Sequence, residues 1–414
     1  DPVSASIHLI NSVATIRRCE FEENGAVSGA ALYAINSTVT LRSSDFESNF
    51  GTDGGAAVYL LGCVDVNVRN CNFANNAAPA MNGAGILSNN TESLTVSRST
   101  FSENLAGTGA ALYALNGSTS VQDCTFQNNQ ASVSAGAVYI EGTTFDCHNS
   151  SFLNNSASDF GGAAFLHSCP LASFTRITCQ QNSARYGGCL FSRQTPVFLR
   201  DSSIRDNLAV NDGGGVAFCN SSLADIINCI FDANSAELGG AIYLGEIETS
   251  QIENTRFRGN TAQTNGGGCF LVEGSCTLSN SVFEENNSGS HGAGLACSTN
   301  SLLSVEQTVF QRNVSPNGGA GSYLVGDCIG NFSNVIWRSN QALMGYGAGA
   351  LVDNEASGSW TNCTFEENEG EVGAGVYLRL GHATFDSVSF HQNAAIGWGG
   401  GFAGDNCSAT VTKS

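Results

Sequence analysis

Apolar and polar residues alternate in short runs along the whole chain, as in Val39-Thr40-Leu41-Arg42, and Asn, Ser and Gly close each run. A period of two over a few residues, bounded by turn formers, predicts short β-strands. No stretch carries the helical period. The recurrent glycines would each weaken a helix by about 1 kcal/mol.

The runs are organised by an internal repeat. Phe is followed three residues later by Asn at Phe21/Asn24, Phe46/Asn49, Phe73/Asn76, Phe101/Asn104, Phe126/Asn129 and Phe152/Asn155. The pattern continues at Phe231/Asn234, Phe257/Asn260, Phe283/Asn286, Phe310/Asn313, Phe365/Asn368 and Phe390/Asn393. Three further units keep the Asn and replace the Phe: Cys179/Asn182, Ile204/Asn207 and Trp337/Asn340. A small-residue cluster running into an apolar pair follows each unit, as in Gly55-Ala-Ala-Val-Tyr59 and Gly239-Gly-Ala-Ile-Tyr243. Fifteen units spaced 25 to 28 residues apart therefore account for the chain as one domain, residues 1–414.

Such a unit fits one coil of a right-handed parallel β-helix, an all-β solenoid of about 15 coils. At about 4.8 Å per coil the stack would extend roughly 70 Å. Phe at one place in every coil would form an internal ladder, each ring contributing roughly 1.5–3 kcal/mol by burial. The Asn three residues on is expected at a corner, its amide tolerating left-handed backbone and bonding to the Asn amides of adjacent coils. The Gly-Ala cluster removes bulk where backbones approach closely. Neither end shows a cap, so the chain is expected to be a segment of something longer or a subunit that its neighbours cap.

Repeated F-x-x-N alternating with G-G-A-I, literal at Gly239-Gly-Ala-Ile242, resembles the passenger domains of chlamydial polymorphic outer-membrane proteins. More broadly, the chain resembles the pectin-lyase-like β-helix superfold. The resemblance covers residues 17 to 403. It implies an exported, surface-displayed adhesive or scaffolding role, and it brings polysaccharide lyases and glycoside hydrolases into consideration.

Charge and cysteine sharpen the picture. The formal net charge is −20, and Lys413 is the single lysine. A phosphate-binding surface needs many cations, so no nucleic-acid partner is expected. No apolar run is long enough for a membrane-spanning helix. The 16 cysteines are scattered singly, which fits disulfides in an extracellular or cell-surface protein. Cys19, Cys71, Cys124, Cys229 and Cys363 all lie two residues before the Phe position. They share one column, at least two coils or about 9.6 Å apart, too far to pair. The expected pairs are Cys63–Cys71, Cys169–Cys179 and Cys219–Cys229.

Glycosylation is expected at the sequons of Asn36, Asn89, Asn116, Asn149, Asn220, Asn331, Asn362 and Asn406, with Asn36, Asn89, Asn116, Asn220 and Asn406 in one corner column. The sequons of Asn286 and Asn313 occupy the ladder and should be buried. Catalysis by paired carboxylates has weak support. Glu22-Glu23, Glu284-Glu285 and Glu366-Glu367 recur in one slot and read as a solvated column. The six histidines are isolated, and Trp360 and Trp398 alone make a poor sugar platform. No cofactor is expected beyond weak surface Ca²⁺ binding by the run Glu366 to Glu371. The sequence thus predicts a non-enzymatic extracellular structural protein that assembles with itself, head to tail or laterally, into a filament. It would carry glycans and possess host or matrix contacts. An adhesin passenger is the alternative, and a polysaccharide-active enzyme the second.

Overall fold

A computed structural model describes residues 5–414. The chain forms two compact units, Asp1–Ser203 and Ile204–Ser414, and each is a parallel β-solenoid without helices among the described residues. One coil of the first unit shows the plan. The strands Leu32–Ile35 and Thr38–Arg42 lie in a long sheet, Asp45–Glu47 carries the phenylalanine, and Phe50–Gly51 completes the circuit. Each strand pairs in parallel with its counterpart one coil away, Phe21 with Phe46 and Phe46 with Phe73.

Corners separate the strands, and left-handed residues make them. In that coil Asn36, Ser43, Ser48 and Gly55 all have φ near +50°. The left-handed region costs an ordinary L-residue energy, and Asn, Gly and Ser carry it at least cost. This corrects one expectation. None of the ladder asparagines, from Asn24 through Asn155, Asn182 and Asn207 to Asn393, takes the left-handed conformation. The residue before each takes it instead: Ser48 before Asn49, Asn154 before Asn155, Gln181 before Asn182, Asp206 before Asn207 and Gln392 before Asn393. The corner is turned one residue early, so the Asn side chain points inward.

Alternation then fills the interior. Val39 and Leu41 are buried while Thr38, Thr40 and Arg42 face outward. The phenylalanines form the expected stack. In the first unit neighbouring ring centroids from Phe21 to Phe152 lie 4.7–5.0 Å apart. In the second, Phe231 to Phe390 continue the pattern with Trp337 inserted.

The small-residue cluster makes room for this stack. A Cβ on Gly268 would sit 2.7 Å from Cδ1 of Phe283. Where the ring changes, its neighbour changes too. Trp337 is fully buried, and its indole N–H donates to Ser322 Oγ at 3.0 Å, at a strand position held by Leu295 and Ala350 on the adjacent coils. Trp360 is buried between Phe332 and Phe385, so it offers no sugar platform.

Asparagine supplies the polar counterpart of the ring stack. Asn49 Nδ2 donates to Asn76 Oδ1 at 2.9 Å and to Phe21 O at 2.9 Å, while Asn49 Oδ1 accepts from the backbone N–H and the amide of Asn24. The same four-bond scheme holds at Asn76, Asn104, Asn129, Asn260, Asn286, Asn313, Asn340 and Asn368. Asn155 keeps it too, accepting from Asn129 and donating to Phe126 O and Asn182 Oδ1, and Asn234 does so between Asn207 and Asn260. A buried amide has two donors and one acceptor oxygen to satisfy, and this arrangement satisfies all of them.

The scheme gains contacts beside Cys179 and changes where the ladder ends. Asn182 Oδ1 accepts from Asn155 as expected, and its amide reaches Phe152 O at 3.0 Å, meets Gln180 O at 3.1 Å and lies 3.3 Å from Cys179 Sγ within its own coil. Cys179 is shorter than the Phe of other coils, so the Asn182 amide reaches a sulfur where its counterparts have a ring beside them. Asn207, on a coil with Ile204 at the ring position, donates its amide to Asn234 Oδ1 at 3.0 Å and is 1 % exposed. Asn24 and Asn393 are only half-buried. Asn24 Oδ1 accepts from Ser6 Oγ in place of another amide, and Asn393 accepts from Asn368 and donates to Phe365 O at 2.8 Å.

Candidate functional site

The cysteines report the local geometry most directly. Two disulfides form, Cys179–Cys189 and Cys297–Cys328. Cys179 stands where other coils place Phe, and Cys189 stands where they place Gly or Ala against the ring. The disulfide thus occupies the space of the missing ring. Cys297 and Cys328 join adjacent coils, from a strand interior to the following corner.

The expected pairs do not form. Cys63 and Cys71 flank the extended strand Asp65–Arg69, which separates their Cα atoms by well over the ~7 Å a disulfide tolerates. Cys169 keeps its thiol because Cys179 pairs with Cys189. An extended segment also lies between Cys219 and Cys229, so that pair does not form either. The spacing suggested a turn, and the structure places a strand there.

The Cys71 and Cys124 thiols have a structural partner instead. Cys71 Sγ donates to Arg69 O and Cys124 Sγ to Gln122 O, each two residues back. Ser44, Ser99, Ser150, Ser202 and Ser281 make the same bond from the same corner. Cysteine is a stand-in for serine in this column. Burial pushes the Cys124 and Cys363 thiols up to about 11, which keeps them protonated and unreactive.

Arginine–carboxylate pairs link neighbouring coils of the second unit. Glu284 does not face solvent as its slot suggested. It is 4 % exposed and receives Arg256 Nε at 2.6 Å, Gln311 Nε2 at 2.9 Å and Arg312 Nη2 at 3.4 Å. Burial alone would raise this carboxyl. The bonds from Arg256 and Gln311 and the nearby guanidinium charges outweigh it and hold the group below its usual range. Glu285 beside it meets Arg258 and Arg312, whereas Glu22 and Glu23 are exposed. Asp353, also buried, is held by two nitrogens of the Arg379 fork. His291 stacks on Tyr323 at 4.6 Å, with Nδ1 2.8 Å from Ser290 Oγ. Burial lowers the His291 pKa and raises the Tyr323 phenol to about 12. These carboxylates are committed to arginines, which suits structural ion pairs better than proton transfer.

Asp212 differs. Burial, with Glu237 nearby, pushes its carboxyl up to about 6. Sequence reasoning missed it, because nothing in its neighbourhood marks that desolvation. The run Glu366 to Glu371 does not converge. Glu366 pairs with Arg338, Glu367 receives Ser339, Asn368 lies in the ladder, and Glu369 receives Gln341. No group of three or more potential metal ligands gathers among the described residues.

Sequon asparagines occupy corners and strands. Asn36, Asn116, Asn149, Asn220, Asn362 and Asn406 are exposed with positive φ. Asn331 is exposed on Ile329–Ser333. Asn89 departs from the expected column: it pairs in register with Leu115, and Asn90 is the residue that meets the Asn116 amide. Asn89 is only half-buried, yet its side-chain oxygen is buried without a partner. Asn286 and Asn313 are fully buried.

The model of the right-handed beta helix region matches residues 5–170 and 84–310. A stretch of 141 residues, 34 % of the chain, is 28 % identical to metabotropic glutamate receptor-like protein R of Dictyostelium discoideum, and covers 9 % of that protein's length. The chain therefore spans a small part of that relative. No solved structure matches.

Proposed function

We propose, because the chain belongs to the right-handed β-helix family, that it is an extracellular scaffolding protein whose solenoid coils build a surface filament or fibre. The observation that carries this reading is the repeating interior. Rings, amides and hydroxyls repeat coil after coil, two disulfides reinforce it, and the buried carboxylates Glu284 and Asp353 are held by arginines rather than aimed at a substrate. Disulfides favour an oxidising compartment, and a surface location follows from them only as part of this proposal.

Self-association into the fibre, head to tail or laterally, and glycans on the exposed sequons belong to the same reading. The receptor-like name of the Dictyostelium relative and the F-x-x-N/G-G-A-I resemblance favour a second one, an adhesin passenger displayed on a surface. An enzyme is the third reading, disfavoured by the arginine-bound carboxylates.

Electron microscopy of the native, unreduced protein in negative stain tests the first reading. Regular fibres are the expected result. Dispersed single particles at every concentration that retain binding to a cell or matrix surface would replace it with the second.

A further inference from the structure

A groove of about 780 Å³ runs along one side of the second unit. Its floor is apolar: Leu302 is 47 % exposed and Ile329 is 49 % exposed, and the two are register partners on neighbouring coils. Its rim is acidic, with Glu246, Glu248, Glu273 and Asp327 all lining the groove and all exposed. None of these four carboxylates has an ion pair among the described residues, although carboxylates elsewhere in the unit are held by arginines.

We propose that this groove docks an extended Lys/Arg-rich segment of another protein. A long basic side chain has an apolar stem and a charged tip, and the groove offers apolar surface beside unpaired carboxylate. Carboxylates at successive corners repeat at about 4.8 Å along the coil stack or at multiples of it, so an extended chain meets several of them at once. The charge balance selects the source. This chain has a net charge of −20 and one lysine, so a second copy would bring repulsion, and the occupant comes from a basic partner. The inference does not depend on filament formation.

Fluorescence anisotropy with labelled octalysine tests it on the full chain. The wild type binds. The variant Glu246→Gln/Glu273→Gln/Asp327→Asn is expected to bind about tenfold more weakly, a loss of about 1.4 kcal/mol. A charge-matched control, Glu22→Gln/Glu47→Gln/Glu103→Gln in the first unit, should change binding less than about twofold on the same scale. The floor variant Leu302→Ser/Ile329→Ser should weaken it by about threefold, because the lysine stems lose apolar contact. Equal loss in both charge variants would show a field effect of the whole chain and overturn the site. An unchanged floor variant would overturn the apolar part of the recognition. Groove-dependent binding of a chitosan oligosaccharide without binding of octalysine would overturn the peptide and assign an amino-sugar polymer instead.

Discussion

Asn260 shows how much a single side chain holds. Its amide donates to Phe231 O and to Asn286 Oδ1, and its oxygen accepts from the backbone and the amide of Asn234. Asn260→Ala leaves buried partners on both neighbouring coils without a bond. Each such orphan costs about 1–3 kcal/mol, so the variant should lose about 3 kcal/mol or more, read as a lowered denaturation midpoint. Asp212 gives a prediction of opposite sense. Its folded pKa of about 6 lies above the ordinary 3.8, so between those values the folded state keeps a proton that the unfolded state has released. Stability therefore falls as pH rises through that window. Asp212→Asn should be more stable than the wild type above pH ~6.5, by roughly 1 kcal/mol after allowance for solvent screening, and indistinguishable from it near pH ~3.5. Thermal unfolding at the two pH values checks this, and a gain that persists at low pH would remove the titration argument.

At the scale of the element, each corner and strand has one role that several residue types can fill. Except at Ile177, Val335 and Val388, the corner two residues before the ring position takes Ser, Thr or Cys, because all three donate to the carbonyl two positions back. Cys124→Ser should therefore change stability by less than about 1 kcal/mol, since Ser99 and Ser150 already hold the adjacent places. Cys189→Ala removes the Cys179–Cys189 disulfide, whose residues are 10 apart. Closing so short a loop contributes about 2–3 kcal/mol, and urea denaturation of the two variants side by side separates a structural thiol from a covalent link. The distinction is invisible in spacing alone: Cys63 and Cys71 lie eight residues apart with an extended strand between them, whereas Cys179 and Cys189 are joined by a path that turns back on itself.

For the molecule as a whole, the outside carries most of the sequons and most of the charge while the inside repeats. Asn116, Asn149, Asn220, Asn362 and Asn406 are exposed at corners, and Asn286 and Asn313 are fully buried. Glycopeptide mapping of protein from a secretory host should find the first five occupied and the last two bare. Occupancy at Asn313 would break the ladder assignment. The period of 25 to 28 residues, with Phe and Asn in fixed phase, was enough to establish the fold, because a coil that repeats in space must repeat its core residues in sequence. Ring stack, amide ladder and small-residue gaps were all legible for that reason. The sequence could not tell which residue turns each corner, that the Asn182 amide lies beside the Cys179 sulfur, that Glu284 is buried among arginines, that Asp212 is desolvated, or which cysteines meet. Those depend on what lies one coil away and on whether the intervening segment runs straight or bends. Only the tertiary structure sets these distances and burials, since they belong to the stacking of coils and not to any one of them.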